Sequence, residues 1–252
     1  MKSLDREIKL NSAMQSNQNS RLLSRKVKPE EIKIVYLDNH LLIALKPAGL
    51  LTQPNGLENI ASLEEEMKAY LKEKFQKPGR VFLHAVQRLD KSVSGLVLFA
   101  RTSKALSRLN AQMRNKAVKK QYLALVEGRV AQKEGRLENF LFHANHCAKV
   151  VTKEHSQAKK ALLHFKVLKE ISNKRSNQSL LEKDQSLLKI ELLTGRYHQI
   201  RAQLAHLGHP IVGDAKYGSQ TDLAAIKLHA CQLDLVHPVT KASLSFFEAA
   251  AF

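Results

Sequence analysis

Cysteine is scarce in this sequence: Cys147 and Cys231 are the only two in 252 residues. Two thiols fall short of a four-thiolate zinc site and suit a reducing compartment, where they would serve as small buried hydrophobes. Long apolar runs are missing as well. The longest, Gly95 to Ala100, has six residues, against the roughly 20 needed to cross a bilayer. The N-terminal stretch MKSLDREIKLNSAMQSNQ includes Asp5 and Glu7 and lacks the apolar core of a secretory signal. A cytoplasmic protein without membrane contact is the expectation.

Acidic residues are also in short supply. Lys and Arg number 41 against 23 Asp and Glu, a formal net charge of +18. Such an excess concentrates polyanions at the surface, so nucleic acid is the first partner to consider and an anionic membrane the second. With 44% apolar and 25% charged residues, the chain has the make-up of a globular protein rather than a disordered or fibrous one. Its length allows one large domain or two small ones without disulfide staples.

Residues 1–28 are polar and basic, with apolar residues too scattered to build a face, and are expected to form a flexible arm. The remainder, 29–252, reads as one domain. IKIVYLDNHLLIALKPAG has two β-rich runs around the turn Asp38-Asn39-His40, the second stopped by Pro47 and Gly49. From Ala61 or Ser62, residues Leu63, Met67, Tyr70, Leu71 and Phe75 recur at helical spacing, with Pro78-Gly79 as the stop. A second helix is capped by Thr102 or Ser103 and carries the stripe Ala105, Leu106, Leu109, Met113 and Ala117. Its other faces are basic. Between Lys104 and Lys133 eight Lys and Arg face the single Glu127, a surface expected to neutralise phosphates if the partner is RNA. ALLHFKVLKEI and LLKIELLTG flank 172–185, read as a long mobile hairpin loop. A short helix runs through His198 to Leu207, with Gly208 as its end. Strands outnumber helices and hairpin-length connections prevail, so the fold class is α+β with a mixed, mostly antiparallel sheet and flanking helices.

Two segments could carry chemistry. Arg88-Leu89-Asp90 occupies a polar turn, Arg88 to Ser94, between apolar runs; in extended backbone Arg88 and Asp90 share a face and Leu89 takes the other. On these residues alone an ordinary surface ion pair is the favoured reading. The second segment, Gly195 to Gly218, packs two arginines, three histidines, four glycines and two tyrosines into 24 residues. His206 and His209 lack the accompanying acid or cysteine that a zinc site requires, so a capping or RNA-contact role is expected and no metal site is.

The blocks RLDKSVSGLVLFA, KKQYLALVEG and GRYHQIRAQLAHLGHPIVGDAKYG, in this order, resemble the signatures of the RluA-type RNA pseudouridine synthases, and IVYLDNHLLIALKPAGLLTQP resembles that family's first strands. The similarity extends over roughly 32–250. It implies a member without an S4 domain that isomerises uridine to pseudouridine without a cofactor. The carboxylate of Asp90 matches the family's nucleophile. Tyr122 matches the residue that stacks on uracil and assists the proton step at C5, and Arg201, or else Arg196, the cation that keeps the aspartate ionised. Base flipping is implied, with Arg88 filling the vacated place. Arg196, His198, Lys119 and Lys120 are further expected RNA contacts. Gln87, Val93, Tyr197 and Ala202-Gln203 stand where the family more often has His, Thr, Thr and Val-His. The implied substrate is ribosomal RNA of the large subunit, or next transfer RNA, acted on by a monomer. The rival reading is a catalytically degenerate RNA-binding or ribosome-assembly factor.

Overall fold

The computed structural model describes residues 32–56, 61–172 and 184–252. The basic arm 1–28 and nearly all of the 172–185 loop lie outside them.

Among the described residues eleven strands form one mixed sheet: β1 (Ile34–Leu37), β2 (Leu41–Lys46), β3 (His84–Ala85), β4 (Ser94–Ala100), β5 (Lys119–Glu127), β6 (Glu134–Ala144), β7 (Cys147–Val151), β8 (Lys159–Ile171), β9 (Gln185–Leu192), β10 (Leu228–Val236) and β11 (Ser243–Phe247). The order is β1-β2-β4-β10-β5-β9-β8-β6-β7, with β3 added beside β4 and β11 beside β10. All pairings are antiparallel except β4 with β10. The α+β expectation with a mostly antiparallel sheet is met.

The parallel β4–β10 contact depends on Gly95. Its φ is +125°, and a Cβ there would lie 2.4 Å from the backbone of Ala230, so only glycine lets the strands approach. This junction brings the Asp90 turn, just before β4, beside the centre of the sheet.

Among the described residues three helices cover the sheet: α1 (Leu63–Lys74), α2 (Ser103–Arg114) and α3 (Gln199–His206). Side chains alternate along the strands and separate two cores. Leu42, Ala44, Val97 and Phe99 pack with Leu63, Met67 and Leu71 of α1 and with Ile200 and Leu204 of α3. Leu41, Ile43, Leu96 and Leu98 point the other way and pack with Ala105 and Leu109 of α2.

Local sequence accounts for the helix ends. Ser62 Oγ accepts from Glu65 N–H and donates to the Glu65 carboxylate, capping the start of α1. Thr102 Oγ1 accepts from Ala105 N–H at the start of α2. Two expected stripe members fall outside. Phe75 is the C-cap of α1 and exposed, and Ala117 follows the end of α2, where Lys116 turns at φ +57°. The hairpin β6–β7 was not expected; its exposed alternate positions give it little apolar periodicity.

Candidate active site

Asp90 lies in the turn before β4, and this turn is held from below. Thr52 Oγ1 donates to Leu89 O (2.9 Å) and accepts from Leu89 N–H (3.0 Å), while Gly49 N–H donates to Lys91 O (2.7 Å). Lys46, wholly buried, donates to the carbonyls of Pro47 (2.9 Å), Leu50 (2.7 Å) and Lys91 (3.2 Å). Burial lowers its pKa to about 7, opposed by the charge of Asp90. The KPAG segment is therefore a cradle for the Asp90 turn. Leu89 is buried and Arg88 exposed, so the predicted alternation holds.

Arg201 reaches this turn from α3, where six successive residues from Gln199 to Leu204 are buried. Its Nη1 donates to Asp90 Oδ2 at 3.0 Å. Its Nε and Nη2 grip Asp214 bidentately at 2.7 and 2.8 Å. Asp214 is 1% exposed and Asp90 27%. Burial works against the guanidinium charge, but the hydrogen bonds and charge of Asp214, with those of Asp90, more than offset it and raise the Arg201 pKa. Tyr217 places its ring 5.0 Å from the guanidinium. Of the two expected partners for Asp90, Arg201 is the one in contact. Arg196 is exposed and donates through Nε to Lys160 O (3.0 Å).

His198 starts α3 in the left-handed region, φ +48°. Expected as an RNA contact, it is instead buried in the Arg201 cluster. Because a guanidinium can only donate, Nε2 accepts from Arg201 Nη1 (3.0 Å), which leaves the hydrogen on Nδ1 to be donated to Tyr217 Oη (3.0 Å). Tyr217 Oη also accepts from Ala148 N–H (2.8 Å). Burial lowers the His198 pKa to about 4; Asp90 opposes this, while Arg201 and Lys216 reinforce it. The imidazole is neutral at pH 7, and Arg201 Nη1 bridges its Nε2 and Asp90 Oδ2, which lie 3.4 Å apart.

Tyr122, on β5 between Ala230 and Ile190, belongs to the same core as Leu89, Val93 and Ile200 beneath the Asp90 turn. Burial and then the charge of Asp90 push its phenol above the ordinary value, so it is protonated at neutral pH. Lys120 shares the strand face of Tyr122 by two-residue alternation. Its Nζ lies 4.0 Å from where a side chain on Gly195 would begin, and burial lowers its pKa. Lys119 takes the opposite face and is exposed.

The basic surface of α2 lies across the sheet from Asp90, since α2 packs on the core opposite Tyr122. His209 Nδ1 meets Glu127 O at 2.9 Å, the last carbonyl of β5 rather than a helix end, and His206 is exposed at the end of α3. No cluster of three metal-binding side chains occurs among the described residues. Cys231 is buried as expected, whereas Cys147 is half-buried. The sequence reading missed Lys46, Asp214 and Tyr217. Each sits in a quoted block, but only the fold shows which partner it meets.

A family described as RNA pseudouridylate synthase matches residues 40–206. The chain is 36% identical over 213 residues to "Uncharacterized RNA pseudouridine synthase YhcT" of Bacillus subtilis, covering 83% of this chain and 66% of that protein. It is 33% identical over 226 residues to "Dual-specificity RNA pseudouridine synthase RluA" of Pasteurella multocida, covering 88% and 94%. With "Ribosomal large subunit pseudouridine synthase D" of Nitrosomonas europaea it shares 33% over 218 residues, 82% of this chain but 58% of the relative. The fold is similar to that of "Human RNA Pseudouridylate Synthase Domain Containing 1", with a TM-score of 0.71 at 21% identity over 90% of this chain and 87% of that one. The match spans β2 to the end of α3, and so takes in the Asp90 turn, Tyr122 and Arg201: this chain belongs to the RNA pseudouridylate synthase family, and within it to the RluA type.

Proposed function

We propose that the protein isomerises specific uridines to pseudouridine in structured RNA, with Asp90 as the nucleophile. One observation carries this reading. Asp90 offers a partly exposed carboxylate to solvent while its other side is held by a guanidinium that a buried second carboxylate already anchors. A carboxylate so placed keeps oxygen lone pairs free for attack on a base or sugar carbon.

The reaction needs no net oxidation. Asp90 bonds to a carbon of the nucleotide and is released again in the course of the turnover: the N1–C1′ bond breaks, the ring turns, C5 bonds to C1′, and the C5 proton leaves while N1 takes one up. Tyr122, protonated and beside the charge of Asp90, suits stacking on the uracil and donation of a hydrogen bond. Because a paired uracil cannot reach a carboxylate at the base of a turn, the nucleotide is flipped out, and exposed Arg88, two residues before Asp90, fills the gap. Lys120 and Arg196 contribute phosphate contacts, whereas Lys119, on the other face of β5, faces away from Asp90.

Large-subunit ribosomal RNA is the first substrate to test and transfer RNA the second; the Nitrosomonas relative is named for the former and the Pasteurella relative for dual specificity. No helix among the described residues is long and apolar enough to cross a membrane, and a cytoplasmic site of action fits such substrates. The test is tritium release from [5-³H]uridine RNA, with separate ribosomal and transfer pools lacking pseudouridine. Release that disappears in Asp90→Asn supports the reading. Absence of release from both pools with RNA binding intact would overturn it in favour of an assembly factor.

A further inference from the structure

Three aromatic rings form a column that leads away from the Arg201 cluster. The His198 and Tyr197 rings stack with centroids 3.9 Å apart and planes 15° apart. His143, on β6, lies 4.1 Å from the Tyr197 centroid at 40°. A ring has no room for two partners at this distance on one face, so His198 and His143 cover opposite faces of Tyr197. His143 is exposed, and no second ring packs on it among the described residues.

The column is fixed at its outer end. Lys216 Nζ donates to His146 O (2.9 Å), Tyr197 Oη donates to the same carbonyl (3.4 Å), and Ala148 N–H donates to Tyr217 Oη. These contacts tie the tip of the β6–β7 hairpin to the loops around α3. The surroundings are cationic: from 143 to 160 four lysines accompany the single acid Glu154, and Arg196 and Lys216 adjoin.

We propose that His143 is the outer face of a preformed stacking platform for a nucleobase of the substrate RNA, beside the flipped uridine. This rests on the proposed function, since it takes RNA as the substrate at Asp90. Every base offers a π face, and a ring already held in place gains stacking energy without first being ordered. The cationic rim favours an anionic chain whose bases then reach the ring.

The chain contains no tryptophan, so in His143→Trp the new indole is the sole one and its emission reports stacking. Titration with pseudouridine-free ribosomal RNA transcript should quench that emission, whereas inorganic polyphosphate should not. His143→Ala should raise KM for the same RNA roughly tenfold with kcat within about twofold, and His143→Phe should restore KM. Thermal melting of each variant checks that the fold is retained. Unquenched emission while filter retention shows RNA bound, equal quenching by polyphosphate, or an unchanged KM in a folded His143→Ala protein would each overturn the platform. Wild-type protein that releases no tritium refutes the isomerase reading instead, and the tryptophan emission then decides the platform alone.

Discussion

Arg201 holds two carboxylates in opposite ways. Asp214 takes two of its N–H groups at 2.7 and 2.8 Å and is 1% exposed; Asp90 takes one at 3.0 Å and is 27% exposed. The buried end is saturated and orients the guanidinium, while the open end leaves one carboxylate with capacity to react. The difference teaches that a single arginine can act as a structural tie on one side and an electrostatic support on the other. A buried pair costs desolvation and contributes little net stability, but losing one member leaves the other charge stranded. Stability and activity should therefore divide between the two ends.

The sharpest way to break this comparison is Asp90→Asn. Loss of the proposed nucleophile should cut tritium release by a factor on the order of 10⁴ or more, with a melting temperature close to that of the wild type. Asp214→Asn should do the reverse in emphasis. It leaves the buried Arg201 charge with the single carboxylate contact to Asp90, at a cost of about 3 kcal/mol, read as a lower urea midpoint, and activity falls with it. Equal destabilisation by the two substitutions would show that the ends are not distinct.

Lys46 extends the comparison to the cradle beneath Asp90. Lys46→Met leaves three carbonyls without their shared donor and should cost about 2–3 kcal/mol. The fold lowers the Lys46 pKa to about 7, below its unfolded value near 10.5. As pH rises above 7, the unfolded chain keeps the proton that the folded one has released. Stability from this group thus increases between pH 7 and 10.5, and the variant should lose that increase in melting scans.

His198 should give the smallest effect. Its folded pKa of about 4 is below the unfolded 6.5, so the unfolded chain takes up the proton first as pH falls. The contribution is complete above pH 6.5 and is lost toward pH 4. His198→Asn should flatten that part of the melting-temperature profile relative to wild type.

Much of the scaffold was legible because its signals are local. Ser62 and Thr102 cap the helices they precede, Asp38 closes the β1–β2 turn by accepting from His40 and Leu41 N–H, and Gly208, at φ +91°, ends α3. The β6–β7 hairpin carried only the weak signal of Asn145, which with His146 makes its two-residue turn at positive φ, and Phe75 kept helical spacing past the point where the helix stops. The candidate site was legible in its blocks and their likeness to a family, but not in its contacts.

Composition and neighbours a few positions apart fix the positive charge, the helix caps and the turn residues, while the candidate reactive side chains were legible only through the likeness to a family. Only the tertiary structure decided that Arg201 meets Asp90 across 111 residues, that Asp214 anchors it, and that α2 faces away from the site. Those outcomes depend on strand order and on the close approach of β4 to β10 at Gly95. Contacts between distant segments are set by how the sheet packs, and no local pattern encodes that packing.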